Sequence, residues 1–185
     1  MSAENLHVGV IGATGAVGVE LINVMFDRNF PVGELTLFAS ERSAGKTVET
    51  KYGTKTIALF SVEEAKQCDI VFLAVSGDFA KEFAPQIAEG ALVIDNSSAF
   101  RLNDDVPLIV PEINGDLAKT AKLIANPNCT TAIAAVALWP LHKAFGLKKG
   151  FVSTYQAASG AGQPGMNDLR EGLAAGLEGK PVPAE

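Results

Sequence analysis

Only two cysteines and two histidines occur in the 185 residues, and both scarcities narrow the chemistry. Two cysteines cannot build a disulfide scaffold, so a reducing cytosol is the expected setting. His7 and His142 stand isolated, with no ligand spacing around either; metal catalysis has no support and no metal ligand is assigned. Long apolar runs are missing. The stretch Asp69-Ile70-Val71-Phe72-Leu73-Ala74-Val75 is strand-sized, against the roughly 20 residues of a membrane helix. Positive charge is in deficit, and the net −6 argues against general binding of nucleic acid or an anionic membrane. Met1-Ser2-Ala3-Glu4-Asn5 has no basic region leading into an apolar core, so no signal peptide is expected. What remains, 48% hydrophobic and 19% charged residues, suits an ordinary globular protein with one well-buried domain and part of a second.

The most informative residue is Cys129, in Asn126-Pro127-Asn128-Cys129-Thr130-Thr131. The short apolar stretch Lys122-Leu123-Ile124-Ala125 precedes it, and a helix-forming run from Thr131 to Leu138 follows. A cysteine at a strand-to-helix junction feels the unpaired N–H groups and positive dipole end of the helix, which favour thiolate. Thiolate is the nucleophile of thiol enzymes. Position alone leaves open a small buried residue packed beneath the helix.

At the other end, Leu6-His7-Val8-Gly9-Val10-Ile11 reads as a strand that breaks into Gly12-Ala13-Thr14-Gly15-Ala16-Val17-Gly18. Helical spacing of apolar residues follows from Val19 to Phe26. Glycines let a turn close tightly and approach a pyrophosphate resting on the helix N-terminus. The spacing is G-x-x-G-x-x-G rather than the usual dinucleotide fingerprint, so the strand-turn-helix context carries the argument. The next strand, Glu34 to Ala39, runs into Ser40-Glu41-Arg42-Ser43-Ala44-Gly45-Lys46. A guanidinium with hydroxyls suits the 2′-phosphate of NADP, whereas Glu41 would suit an unphosphorylated ribose. NADP is the expected cofactor.

Further α/β units follow. Thr56 to Phe60 reads as a strand, Val62 to Gln67 as a helical turn, Asp69 to Val75 as a strand buried on both faces. Asp78 to Glu89 reads as a helix, with Phe79, Phe83 and Ile87 on one face, and Ala91 to Asp95 as another buried strand. This alternation predicts a doubly wound, Rossmann-like parallel sheet, with ligands beyond the C-terminal strand ends. Gly15, Ser76-Gly77, Asn96-Ser97-Ser98 and Cys129 all follow strands and could share one edge. Pro140 should kink or end the helix after Cys129. His142 reads as a partly exposed residue near that helix end, and Cys68 as structural. Lys149 to Gln156 alternates like a strand and should open a second, α+β domain; Met166 to Leu177 reads as a helix weakened by Gly172 and Gly176.

Five blocks together resemble the aspartate-β-semialdehyde dehydrogenase family. They are Gly12 to Gly18, Ser40 to Lys46, Asp95-Asn96-Ser97-Ser98-Ala99-Phe100-Arg101, Asn126 to Thr131, and Ser153-Thr154-Tyr155-Gln156-Ala157-Ala158-Ser159-Gly160-Ala161-Gly162. They occur in the family's order and span nearly the whole chain. Related N-acetyl-glutamyl-phosphate reductases differ around the cysteine, and glyceraldehyde-phosphate dehydrogenases lack the other blocks. The resemblance implies an NADP-binding Rossmann-like domain over 1–128 and a partial catalytic and dimerisation domain over 129–185. It implies reversible conversion of aspartyl phosphate and NADPH to aspartate semialdehyde, phosphate and NADP+, at the branch toward lysine, methionine and threonine.

By the same resemblance Cys129 carries an acyl thioester and Gln156 contacts substrate near the reacting carbon. Arg101 binds the phosphate group, with Asn128 assisting. Gly12, Thr14, Gly15, Ala16, Val17, Arg42, Ser43, Ser159 and Gly160 hold NADP. The implied partners are small molecules and further copies of the chain, as dimer or tetramer. The family's chains run nearly twice this length, so the sequence is expected to be a fragment or a shortened paralogue. The family's general-base histidine and second substrate arginine fall beyond its end. A dinucleotide-binding module without catalysis is the alternative expectation.

Overall fold

The computed structural model describes residues 5–181. The first residues of the segment read for a leader, and the last of the turn-rich tail, lie outside the described residues. The chain opens with strand β1 (Leu6–Ile11), helix α1 (Ala16–Asp27) and strand β2 (Val32–Ala39). A hairpin of β3 (Thr47–Thr50) and β4 (Gly53–Leu59) follows, then α2 (Val62–Ala65), β5 (Ile70–Leu73), α3 (Gly77–Ile87) and β6 (Leu92–Asp95). Beyond these lie α4 (Pro111–Asn114), a 3-10 turn (Gly115–Lys119), β7 (Leu123–Ala125), α5 (Cys129–Phe145), a second 3-10 turn (Ala158–Ala161) and α6 (Gly162–Leu177).

The strands form one sheet in the order β3-β4-β2-β1-β5-β6-β7. Every neighbouring pair is parallel except the β3–β4 hairpin. Successive side chains of a strand face opposite sides, and the apolar residues divide accordingly. Val8, Val10, Leu35 and Leu37 pack with Ile22 and Met25 of α1. Ile11, Phe38, Val71, Leu73 and Val93 pack on the other side with Ala80, Ala84 and Ile87 of α3. This is the doubly wound sheet expected from the sequence. Chain order reverses direction at β1, so the crevice beyond its C-terminal end, between β1 and β5, is where such sheets take ligands.

Local chemistry sets the element ends. Ser61 and Ser76 cap α2 and α3, each hydroxyl accepting a backbone N–H bond. Gly12 turns the chain out of β1 at φ +84, where a Cβ would meet the Ala74 carbonyl oxygen at 2.2 Å. Gly18, in the first turn of α1, lies so close to the turn after β1 that a Cβ would run into the Gly12 carbonyl oxygen.

The structure departs from expectation in four places. β3 precedes β4 as an edge strand of Thr47-Val48-Glu49-Thr50, too polar to announce itself as an apolar run. In β5 only Val71 and Leu73 are buried; Ile70 and Phe72 are half-buried, because α1 covers β1 and β2 on that side. Helix α5 continues through Pro140 to Phe145, so the proline does not end it; termination comes at Gly146, whose φ of 71 is the left-handed cap. The stretch 149–156 forms no strand. Phe151, Val152 and Tyr155 are exposed there, and among the described residues no strand pairs with it.

Candidate active site

The C-terminal ends of the strands, with the start of α6, enclose a cleft of about 860 Å³. The turn after β1 supplies Thr14, Gly15, Ala16 and Val17, and the loop after β2 supplies Arg42. From the loop after β5 come Ser76 and Gly77; from that after β6, Asn96, Ser97, Ser98 and Arg101; from that after β7, Asn128. Ser159 and Gly160 close the remaining side with Gln163 and Met166.

Four expected site residues do not line the cleft. Gly12 sits behind the turn, its carbonyl accepting the Gly15 N–H at 3.0 Å. Ser43 folds back in the loop after β2, its N–H bonded to the Ser40 carbonyl at 2.9 Å. Cys129 begins α5, adjacent to the lining residue Asn128, and is exposed. Gln156 stands beside the lining residue Gly160 and accepts a 3.3 Å hydrogen bond from Asn128 Nδ2.

A polar network holds the strand ends. Asp95 is fully buried and accepts from the Ser97 N–H at 2.9 Å and the Ser97 hydroxyl at 2.8 Å. Asn96 Nδ2 donates to the Leu73 carbonyl at the end of β5, and Asn126 Nδ2 donates to Asn96 Oδ1 at 2.8 Å. Arg101 spans the same loops, its Nε donating to the Asn126 carbonyl at 2.9 Å and its Nη2 to the Asn96 carbonyl at 3.0 Å. The side-on fork of this guanidinium is thus committed to backbone. The donors left for a cleft anion are on its outer, Nη edge.

Uncapped donors face the cleft at other points too. Helix α1 begins at Ala16, with Gly15 before it, and α6 at Gly162, all on the cleft, and neither helix has a side-chain cap on its first N–H groups. Arg42 forms no ion pair among the described residues, while Glu41 lies off the cleft. These groups and the glycine-built turn after β1 fit a dinucleotide. The contribution of Gln163 and Met166 was not read from the sequence; its signal is a glycine turn with Pro164 opening a helix.

The other cysteine has a different environment. Cys68 is buried beneath β1, its Sγ 3.6 Å from His7 Nε2. Burial, then the charges of Glu34 and Asp69, push its thiol up to about 12. Among the described residues no group of three or more His, Cys, Asp or Glu side chains is arranged to hold a metal ion, and no helix is long and apolar enough to cross a membrane.

This arrangement has counterparts. A family model described as semialdehyde dehydrogenase, NAD binding domain, matches residues 7–121, and one described as semialdehyde dehydrogenase, dimerisation domain, matches 138–185. The aspartate-semialdehyde dehydrogenase of Synechocystis sp. is 46% identical over 97% of this chain. The chain belongs to the aspartate-semialdehyde dehydrogenase family. It covers 54% of the Synechocystis protein and thus spans about half the length of the curated relatives it matches. The crystal structure of aspartate semialdehyde dehydrogenase II from Vibrio cholerae matches 98% of this chain and 56% of its own, with a TM-score of 0.86 at 41% identity. The Candida albicans aspartate semialdehyde dehydrogenase, solved with NADP, matches 78% of this chain and 48% of its own, with a TM-score of 0.58 at 28% identity. A dinucleotide-binding, Rossmann-type domain followed by a dimerisation-domain segment is the architecture of this member of the family.

Proposed function

We propose that the chain is the cofactor-binding and nucleophile-bearing part of an NADP-dependent aspartate-semialdehyde dehydrogenase. It acts in the biosynthesis of lysine, methionine and threonine, in the cytoplasm, as part of a homo-oligomer. The observation that carries this reading is the convergence of the glycine turn, Arg42, Arg101 and Asn128 on one cleft, with exposed Cys129 next in sequence to Asn128. Residues 1–128 hold the cofactor and residues 129–185 begin the catalytic and dimerisation domain.

The residues divide the work as follows. Gly12 and Gly18 let the turn after β1 close against its neighbours, which frees the α1 N-terminus for a pyrophosphate. Thr14, Gly15, Ala16 and Val17 form that cradle, Ser159 and Gly160 close it, and Arg42 with neighbouring Ser43 takes the 2′-phosphate. Bound NADPH supplies the hydride that takes a thioester to the aldehyde level. Cys129 Sγ, as thiolate, attacks the acyl carbon of aspartyl phosphate; the carbon–oxygen bond to phosphate breaks and inorganic phosphate leaves. Arg101 holds that phosphate through its outer nitrogens, with Asn128 assisting, and Gln156 contacts the acyl group near the reacting carbon. Expulsion of Sγ from the reduced adduct releases the semialdehyde and restores the thiolate.

The test is phosphate-dependent NADP+ reduction with aspartate semialdehyde, measured with this chain alone and with the further half that its relatives possess. Turnover in the second format is the expected result. Absence of turnover in both, with NADPH still bound, would leave a binding module instead.

A further inference from the structure

We propose that Thr130 is a positioning residue that fixes which end of the Gln156 amide faces the reaction. This rests on the reading of Gln156 as a substrate contact given above. The deduction begins with a group that admits one role. The Thr130 backbone N–H can only donate, and it points at an Asn128 side-chain atom 3.0 Å away. That atom is therefore the carbonyl oxygen. The Thr130 hydroxyl donates to the same oxygen at 2.6 Å. The other end of Asn128 is then an NH2 group, which can only donate. It lies 3.3 Å from a terminal atom of Gln156, so that atom must be oxygen.

The far end of Gln156 is left as NH2. It lies against Gly160, where a Cβ would stand 2.5 Å from this nitrogen, so the absence of a side chain there makes room for it. Gly160 lines the cleft, and Asn128 is bonded to Cys129. An N–H donor in this place stabilises negative charge growing on an acyl oxygen as the sulfur adds to its carbon. The flipped amide would present lone pairs to the same oxygen and oppose the step. Thr130 thus acts through Asn128 on Gln156, without touching substrate; its N–H persists in the variants below, and its hydroxyl, which makes the shorter of the two bonds, is the part that Thr130→Val removes.

Two readouts decide this. In the 185-residue chain labelled with nitrogen-15, Thr130→Val should shift the side-chain NH2 resonances of Gln156, whereas Thr130→Ser, which keeps the hydroxyl, should leave them in place. In the protein carrying its relatives' further half, Thr130→Val should lower kcat about tenfold, the effect of one weakened hydrogen-bond relay, with the KM for NADP+ unchanged. Thr130→Ser should stay within about twofold. In a Gln156→Ala background, adding Thr130→Val should cost less than about twofold more, because a relay has nothing left to orient. Unmoved Gln156 resonances in Thr130→Val, or an undiminished loss in the Gln156→Ala background, would overturn the proposal. Loss of all semialdehyde-dependent turnover in the parent protein would sink the proposed reaction instead, and the resonance shift would still decide whether the relay exists.

Discussion

Two strand-to-helix junctions in this molecule invite comparison. The first runs from β1 through Gly12 and Gly15 into α1; the second runs from β7 through Asn126 and Asn128 into α5. Both place a helix start at the cleft edge of the sheet. Yet α1 buries Gly18, Ile22 and Met25, while α5 buries nothing. Ile133 and Phe145 of α5 are 74% and 84% exposed. Local signals suffice to start a helix after a strand; whether its apolar face finds a partner is decided by the rest of the fold. The first junction has become part of a core. The second presents the exposed thiol of Cys129 and leaves its apolar face open, and the segment that matches the dimerisation-domain model begins within its helix.

The comparison can be pushed hardest at the cysteines. Under the proposed reaction, Cys129→Ser in the protein carrying its relatives' further half should reduce turnover at least about 10³-fold, because the hydroxyl is a poor substitute for thiolate as nucleophile and leaving group. Cys68→Ser should leave the chemistry intact, and steady-state rates check both. Gly12→Ala is the counterpart at the first junction. It meets both a positive φ and the Ala74 carbonyl, and should cost roughly 3 kcal/mol in a urea titration. A cost below about 1 kcal/mol would mean that this turn is less tightly held than its geometry says.

Alkylation and pH separate the two thiols again. Native Cys68 should resist iodoacetamide while Cys129 reacts, and unfolding should equalise them, as mass spectrometry of labelled peptides will show. The sign of the pH effect follows from the raised Cys68 pKa. Below the unfolded thiol value of about 8.5 its contribution to stability is complete; as pH rises from there to about 12 the unfolded state loses a proton the native state keeps, and stability falls. Cys68→Ala should flatten that alkaline slope. Arg42→Ala should raise the KM for NADPH about tenfold with little change for NADH, a preference ratio that would stay fixed if Arg42 were only a solvated charge. The smallest effect belongs to α6. Gly176 has nothing within 4 Å of its missing Cβ, so Gly176→Ala should stabilise that helix by about 0.5–1 kcal/mol and slow its amide exchange.

What was legible in the sequence follows the same division. β1, β2, β5 and β6 could be read because parallel strands leave apolar runs, and a shared edge for Gly15, Ser76, Asn96 and Cys129 was expected from them; the first three line the cleft, whereas there Asn128 takes the place of Cys129. β3 was hidden because an edge strand with one solvated face carries Glu49 and threonines in place of such a run. The alternation of 149–156 was visible, but alternation describes a face awaiting a neighbour, and none pairs with it among the described residues. Of the two outcomes expected at Pro140, termination does not occur, because a helix interior can omit one N–H when the flanking turns hold. The Arg101 tie to two carbonyls had no sequence signal at all, since backbone acceptors look alike in every sequence.

That tie has a mechanical consequence. With Arg101, Asn96 and Asn126 lacing the ends of β5, β6 and β7 together, one jaw of the cleft is a stiff plate. That plate should therefore keep its shape whether or not a ligand is seated against it.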